Sequence, residues 1–163
     1  MSYEGSAQLL ARTQNFVDDH RALYLTSRGA QGHIVDMTHA GSPGPTPTLL
    51  LKTIGRKSGK THIAPLIYGI FGREWVIIGS KGGAPDHPAW YLNLRERSDT
   101  EFQVGTQAFA ATWRAAEGEE RDQVWAYMTA LYPPYGDYQG GAGDRVIPAI
   151  LLRPLNEIPA FEA

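Results

Sequence analysis

The spacing of hydrophobic positions predicts one helix near the start of the chain and short strands along most of the rest. Apolar residues recur at steps of three and four between residues 6 and 27, which is the spacing of one face of an α-helix. From residue 48 onward the apolar positions form short β-type runs bounded by turn residues. The predicted strands are 48–54, 61–70, 75–79, 100–105, 106–115 and 146–152.

Turn residues and two further helices indicate how these strands connect. Turns at 55–60, 71–74 and 105–106 separate three pairs of predicted strands, as β-hairpins require. Helices are predicted at about 87–96 and at 117–131, and the acidic first turn of the second suits the helix dipole. Strands in hairpin order with inserted helices predict an α+β fold, in which a mostly antiparallel sheet closes into a small barrel.

The segment 28–47 is rich in glycine and proline and predicts an irregular connection between the first helix and the first strand. The length of 163 residues predicts a single domain spanning the whole chain. Within it, residues 1–47 are the predicted N-terminal helix and loop, and residues 48–153 are the predicted barrel core.

Composition and charge exclude several classes of function. Fifteen basic and seventeen acidic residues give a net charge of −2, whereas nucleic-acid binding needs a basic face to neutralise phosphates. The absence of cysteine excludes disulfides, thiolate metal ligands and thiol nucleophiles. The five histidines lack helical ligand spacing, so no metal site is predicted. The chain begins without signal-peptide features and has no apolar run of the roughly 18 residues that cross a bilayer, so a cytoplasmic protein is expected.

Several catalytic motifs are not met. GRKSGKT (55–61) is one residue short of a P-loop and precedes a strand-like run, where a P-loop needs a helix. Gly79-Ser80 does not form a nucleophile elbow, and no strand-to-helix turn has the glycine pattern of a Rossmann nucleotide site. No paired carboxylates for acid–base hydrolysis are visible either.

The segment GSKGGAPDHPAWYLNL (79–94) contains a candidate anion site. Glycines let successive backbone amides point the same way, and such a concave nest binds phosphate or carboxylate. Lys81 adds a positive charge, Ser80 adds a donor, and two prolines hold Trp90 and Tyr91 on the following helix. A solvated turn between a strand and a helix explains the same residues equally well.

A second basic turn favours the anion site over the solvated turn. Arg56, Lys57, Ser58 and Lys60 crowd the tip of the first predicted hairpin. A basic hairpin tip alone is most often surface. Two such turns can concentrate an anionic ligand without making the whole protein basic.

A tyrosine-rich segment, LYPPYGDYQGGAGDR (131–145), is a candidate substrate pocket. Tyr132, Tyr135 and Tyr138 lie three apart, and the prolines and glycines around them predict a loop without regular structure. Phenol rings on a loop suit an aromatic ligand, through stacking and hydrogen-bond donation. A tyrosine-rich loop packed on the barrel is the alternative.

Four motifs together resemble the deazaflavin-dependent nitroreductase family of actinobacteria. They are TIGRKSGKTHIAPL (53–66), SKGGAPDHPAWYLNL (80–94), YPPYGDY (132–138) and DRVIP (144–148), and the resemblance covers residues 48–153. It implies a split β-barrel of the FMN-binding type with about six strands, an N-terminal helix and two inserted helices. It also implies an oxidoreductase that uses reduced coenzyme F420 to deliver hydride to quinones, activated alkenes or nitroaromatic compounds.

The resemblance also implies roles for individual residues. His62 stands where the family commonly has an arginine, so one anion contact is expected to be weakened or replaced. Tyr132, Tyr135 and Tyr138 are implied as catalytic residues that line the acceptor pocket, one of them donating a proton. The implied coenzyme-binding residues are Arg56, Lys57, Ser58, His62, Ser80, Lys81, Gly82, Gly83, Pro88 and Trp90.

Two other functions fit the same residues. One is a coenzyme F420 carrier without turnover, and the other is a split-barrel reductase that prefers flavin mononucleotide. The oligomeric state stays open, with a monomer slightly favoured. Peripheral contact with the inner face of the plasma membrane through the N-terminal helix is a further option.

Overall fold

The structure is a computed structural model that describes residues 16–163. Over these residues the chain forms seven strands and four α-helices. The strands are β1 (Ile34–Asp36), β2 (Pro45–Ile54), β3 (Thr61–Phe71), β4 (Glu74–Ile78), β5 (Asp99–Val104), β6 (Gln107–Ala115) and β7 (Ala149–Ile158). The helices are α1 (Phe16–Thr26), α2 (Ala89–Leu94), α3 (Gly118–Leu131) and α4 (Pro134–Gly141).

Six of the strands form a closed antiparallel barrel. They follow the order β2-β3-β4-β7-β6-β5, and β5 pairs back with β2. Leu50 of β2 lies opposite Pro65 of β3 on one side and opposite Gln103 of β5 on the other. Because β2 has partners along both edges, the sheet closes on itself, and the short β1 pairs with the start of β2. The predicted fold class, a mostly antiparallel barrel with added helices, is confirmed.

Three consecutive leucines in β2 show why the barrel needs α1. Successive side chains of a strand point to opposite faces, and Leu49, Leu50 and Leu51 are all fully buried. Leu49 and Leu51 pack with interior residues of the barrel, whereas Leu50 packs with Tyr24 of α1. The Tyr24 hydroxyl donates to the Thr48 carbonyl (2.9 Å) and accepts from the Gly105 amide (2.7 Å). Helix α1 is therefore joined to the barrel by both apolar and polar contacts.

A second core lies between the barrel and the helices α3 and α4. Val124 and Met128 of α3 pack with Tyr132 and Tyr135, and all four side chains are buried. They contact the outer side of β4 and β7 through apolar residues such as Val76. This core fixes the position of the tyrosine-rich segment. None of the helices within residues 16–163 has the length and apolarity that a membrane crossing requires.

Two segments predicted to be irregular contain regular structure. Residues 28–47 include β1 and the start of β2. These two segments form strands because they pair with each other in the sheet, and the glycines and prolines around them do not indicate that pairing. Residues 131–145 include α4, with Pro134 in its first turn, where a missing N–H costs nothing. Burial of Tyr135 against α3 outweighs the low helix propensity of the glycines in this segment.

Other boundaries differ by a few residues. The first helix is confirmed over Phe16–Thr26, and residues 6–15 of the predicted helix lie outside the described residues. Helix α2 is shorter than predicted. Strand β7 was predicted at 146–152 and runs from Ala149 to Ile158. Its second half contains exposed polar residues, and it continues as a strand because it pairs with β6.

Candidate active site

Two cavities adjoin at α2 and contain nearly all of the predicted site residues. The aromatic cavity has a volume of about 270 Å³ and is lined by Ser80, Lys81, Gly82, Pro88, Trp90 and the three tyrosines, together with residues of α1 and β3. The basic cavity has a volume of about 350 Å³ and is lined by Arg56, Lys57, Ser58, His62, Trp90 and Asn93. Trp90 belongs to both walls. The structure thus brings the two predicted turns to cavities that share one tryptophan, with Lys57 in one cavity and Lys81 in the other.

The loop after β4 has an unusual backbone that explains its glycines. Ser80 is in the right-handed helical region and Lys81 in the left-handed region (φ +47°), an alternation that turns successive amides toward one side. Gly83 has φ +85°, and a Cβ there would lie 2.8 Å from the carbonyl oxygen of Tyr138. Gly83 is the one predicted site residue outside both cavity linings, and this close approach to α4 is the physical reason for a glycine.

The ammonium group of Lys81 already has an anionic partner. Its Nζ lies 2.8 Å from Oδ2 of Asp86, and both side chains are largely exposed. The hydrogen bond from Lys81 lowers the pKa of the Asp86 carboxyl group, which keeps this carboxylate ionised. An anionic ligand at Lys81 must therefore compete with Asp86.

Asn93, which the sequence analysis did not select, joins the basic hairpin to α2. The side chain is 4% exposed, and its Oδ1 accepts from the backbone N–H (3.1 Å) and from Nη1 (3.0 Å) of Arg56. Its Nδ2 donates to the Thr53 hydroxyl at 3.3 Å. The Arg56 guanidinium is therefore held at the edge of the basic cavity by a residue 37 positions away.

The three predicted tyrosines form one cluster. The ring centroids of Tyr132 and Tyr135 are 4.9 Å apart, and Tyr138 lies 6.4 Å from each of them. The hydroxyl oxygens of Tyr132 and Tyr138 are 3.4 Å apart. Burial raises the pKa of Tyr132 and Tyr135 above the ordinary tyrosine value, so both phenols are neutral at physiological pH. The cluster can donate hydrogen bonds into the aromatic cavity.

His20 of α1 also lines the aromatic cavity and was missed as a site residue, because its position on an apolar helix face suggests only packing. It is 3% exposed, and its Nε2 lies 2.7 Å from the Gly32 carbonyl oxygen. A carbonyl only accepts hydrogen bonds, so Nε2 carries the proton of the neutral ring. Burial lowers the pKa of His20, and burial likewise lowers the pKa of His33.

These histidines predict that acid destabilises the fold. Their pKa values are lower in the folded state than the value of about 6.5 in an unfolded chain, so below that pH the unfolded chain binds more protons. The free energy of unfolding should fall between about pH 6.5 and pH 5, at up to about 1.4 kcal/mol per pH unit for each proton taken up. Urea denaturation across this range measures the slope. His20→Gln, which keeps an N–H donor for Gly32, should reduce it, and an unchanged slope would contradict the prediction.

The barrel and its adjoining cavities define a split β-barrel protein with an aromatic and a basic compartment. A sequence model of the F420H(2)-dependent quinone reductase family matches residues 20–154. The chain belongs to this family. The resemblance to F420-dependent reductases, predicted from four short motifs, is thereby confirmed.

Individual relatives agree with this assignment. An F420H(2)-dependent quinone reductase of Mycobacterium tuberculosis is 32% identical over 136 residues, which cover 82% of this chain and 86% of that protein. A solved structure of an F420-H2 dependent reductase, FDR-A, has 37% identity and a TM-score of 0.60 over 66% of this chain and 94% of its own. A second solved structure, described as a domain-swapped dimer, has 32% identity and a TM-score of 0.62 over 83% of this chain and 96% of its own.

Proposed function

We propose that this protein is an oxidoreductase that uses reduced coenzyme F420 to reduce a quinone. The observation that carries the proposal is the junction of the aromatic and basic cavities at Trp90, in a chain of the F420H(2)-dependent quinone reductase family. The family supports neither a carrier without turnover nor a preference for flavin mononucleotide. When bound, the reduced coenzyme supplies the hydride, so the protein needs no nucleophile of its own.

The residues present fit such a cofactor, which combines a flat ring system with an anionic tail. Arg56 and Lys57 offer positive charge in the basic cavity, and Ser58 and His62 add polar groups beside them. The left-handed Lys81 and its neighbour Ser80 offer backbone amides in the aromatic cavity. We propose that the tail binds in the basic cavity and the ring system beside Trp90 and Pro88.

The tyrosine cluster is proposed to bind and protonate the acceptor. Reduction of a quinone to a hydroquinone takes two electrons and two protons, and a hydride brings both electrons but one proton. The second proton must reach an acceptor oxygen from a donor, and the paired hydroxyls of Tyr132 and Tyr138 lie in the wall of the cavity. Buried rings of Tyr132 and Tyr135 also reduce the access of water.

A direct assay tests the proposed function. The protein is mixed with reduced coenzyme F420 and menadione, and the absorbance of the oxidised coenzyme is followed. Turnover with the quinone is expected. Absence of turnover together with tight quenching of coenzyme fluorescence would favour the carrier, and displacement of the coenzyme by flavin mononucleotide would favour the flavin enzyme.

The two lysines provide a prediction on coenzyme affinity. Lys57→Ala and Lys81→Ala should each weaken coenzyme binding by about 1 kcal/mol, or roughly fivefold, since both side chains are exposed and their contacts are partly screened. Asp86→Asn should strengthen binding, because it frees the Lys81 ammonium group. Fluorescence titration at low and high salt measures these effects. Lys60→Ala, in the same hairpin but outside both cavity linings, is the matched control, and an equal effect there would contradict the assignment.

The hydroxyl pair provides a prediction on the rate. Tyr132→Phe and Tyr138→Phe should each lower kcat by about tenfold with little change in coenzyme affinity, because one hydroxyl remains to donate the proton. Steady-state kinetics and fluorescence titration separate the two quantities. Tyr91→Phe, on α2 and outside both cavity linings, should leave kcat unchanged. Wild-type kcat in both single variants and in the variant that carries both substitutions would exclude the proposed proton donor.

Three finer points extend the proposal. Activated alkenes and nitroaromatic compounds are proposed as further acceptors and can replace menadione in the same assay. A monomer is proposed in solution, to be measured by sedimentation velocity.

Peripheral contact with a membrane is proposed through the N-terminal helix. Val17 of this helix is 56% exposed and lines the aromatic cavity. Sedimentation of the protein with anionic vesicles tests this contact.

A further inference from the structure

Arg145 lies between α4 and β7 and points all of its donor groups at the loop after β4. Its Nη1 donates to the Gly79 carbonyl at 2.9 Å, and its Nη2 donates to the carbonyls of Ser80 (2.8 Å) and Ala84 (2.7 Å). Its Nε donates to the Ala84 carbonyl at 2.9 Å, and Nη1 also lies 3.3 Å from Nδ1 of His87. A planar guanidinium group is suited to such a fork of hydrogen bonds, whereas an ammonium group is not.

These bonds determine which way the loop amides face. A trans peptide unit holds its carbonyl and its N–H on opposite sides. Because the carbonyls of Gly79 and Ser80 face Arg145, the N–H groups of Ser80 and Lys81 are directed away from it. Both residues line the aromatic cavity.

The loop backbone also needs external support. Lys81, a residue with a Cβ, has φ +47°, and a left-handed conformation of this kind costs about 1–2 kcal/mol. Such conformations persist when surrounding contacts fix them. The four hydrogen bonds from Arg145 to loop carbonyls are contacts of this kind.

Arg145 is itself held in place by hydrogen bonds with α4, the helix that contains Tyr135 and Tyr138. Gln139 of α4 donates from Nε2 to the Arg145 carbonyl at 2.8 Å and accepts at Oε1 from the Ile147 amide at 2.9 Å. The segment that carries Arg145 is thus fixed to α4 on one side and to the loop on the other. Arg145 therefore connects α4, which contains two of the tyrosines proposed to bind the acceptor, with the loop after β4, which is proposed to bind the coenzyme.

We infer that Arg145 is a positioning residue for coenzyme binding, which acts by holding the loop carbonyls so that the amides of Ser80 and Lys81 face the coenzyme. The inference rests on the proposed function. Arg145 acts through the backbone of other residues, so its loss changes coenzyme affinity by misplacing the loop. Loss of a nearby positive charge is a different cause, and a lysine variant separates the two.

Three variants test this role. Arg145→Gln removes the fork and the charge, and Arg145→Lys removes the fork and keeps the charge. Arg121→Gln is the matched control, because Arg121 is also half-buried and donates to a carbonyl of the same segment, that of Ile147 at 2.8 Å, without contacting the loop. Coenzyme affinity is measured by fluorescence quenching, loop protection by hydrogen–deuterium exchange of residues 79–84 in the free protein, and stability by thermal unfolding.

Arg145→Gln should weaken coenzyme binding by about tenfold or more and raise exchange in residues 79–84. Arg145→Lys should stay close to the glutamine variant, and Arg121→Gln should bind the coenzyme like the wild type. If Arg145→Gln does not fold, Arg145→Lys carries the comparison. The KM for the coenzyme should rise more than kcat falls.

Three results would overturn the role of Arg145. They are wild-type affinity in Arg145→Lys, unchanged exchange in Arg145→Gln, and an equal loss of affinity in Arg121→Gln. Failure of the proposed function gives a different result, because the wild-type protein would then either not reduce menadione or not quench the coenzyme at all. The exchange measurement uses free protein and still shows whether Arg145 holds the loop.

Discussion

Gly83→Ala should lower both coenzyme affinity and the rate of quinone reduction, the rate by about 100-fold. The added Cβ would lie 2.8 Å from the carbonyl oxygen and 2.9 Å from the Cα of Tyr138, and the backbone there has φ +85°. Backbone atoms cannot move aside as the end of a flexible side chain does, so either the loop or α4 must shift. A displacement of about 1 Å is enough for a loss of this size. Fluorescence titration and steady-state kinetics measure the two effects.

Gly143→Ala is the matched control for this prediction. Gly143 follows α4 outside both cavity linings and also has a positive φ (+67°), and its added Cβ meets no atom of the described residues within 4 Å. It should cost only the strain of a left-handed residue, about 1 kcal/mol, and keep most of the activity. Equal losses in the two variants would show that the contact with α4 is not the cause.

Asn93→Ala should lower the free energy of unfolding by about 2–3 kcal/mol. The substitution removes the acceptor for two N–H groups of Arg56 and the donor to the buried Thr53 hydroxyl. It should also weaken coenzyme binding, because the Arg56 guanidinium loses its support beside the basic cavity. Urea denaturation and fluorescence titration measure both quantities.

An exposed asparagine serves as the comparison for Asn93. Asn156 lies on the exposed part of β7, and Asn156→Ala should change the free energy of unfolding by less than about 0.5 kcal/mol. A similarly small effect of Asn93→Ala would mean that the connection between α2 and the hairpin does not stabilise the fold.

Features with a local cause could be predicted from the sequence. The turns at 55–60 and 71–74 follow from glycine and charged residues between two apolar runs, and the structure has β-hairpins there. The acidic start of α3 likewise marks its first turn. Consecutive hairpins imply an antiparallel sheet, so the barrel could be predicted from the turn residues and the apolar runs beside them.

Features that depend on distant partners could not be predicted. The helix α4 contains three glycines and a proline, and its stability comes from the burial of Tyr135 and the bonds of Gln139. Arg145 bonds to a carbonyl 66 residues away, and neither residue type nor spacing indicates that partner. Arginine in DRVIP was visible as part of a motif, but only the folded chain shows what it contacts.

The position of Trp90 in both cavity walls limits how this enzyme can diversify. A substitution that widens the wall for a bulkier oxidant also alters the boundary of the compartment proposed for the cofactor tail. New substrate range is therefore more accessible through residues that line the aromatic cavity alone, such as Phe16, Val17 and Met37. Natural variation among related enzymes should concentrate at such positions, and library design for altered acceptor preference should begin there.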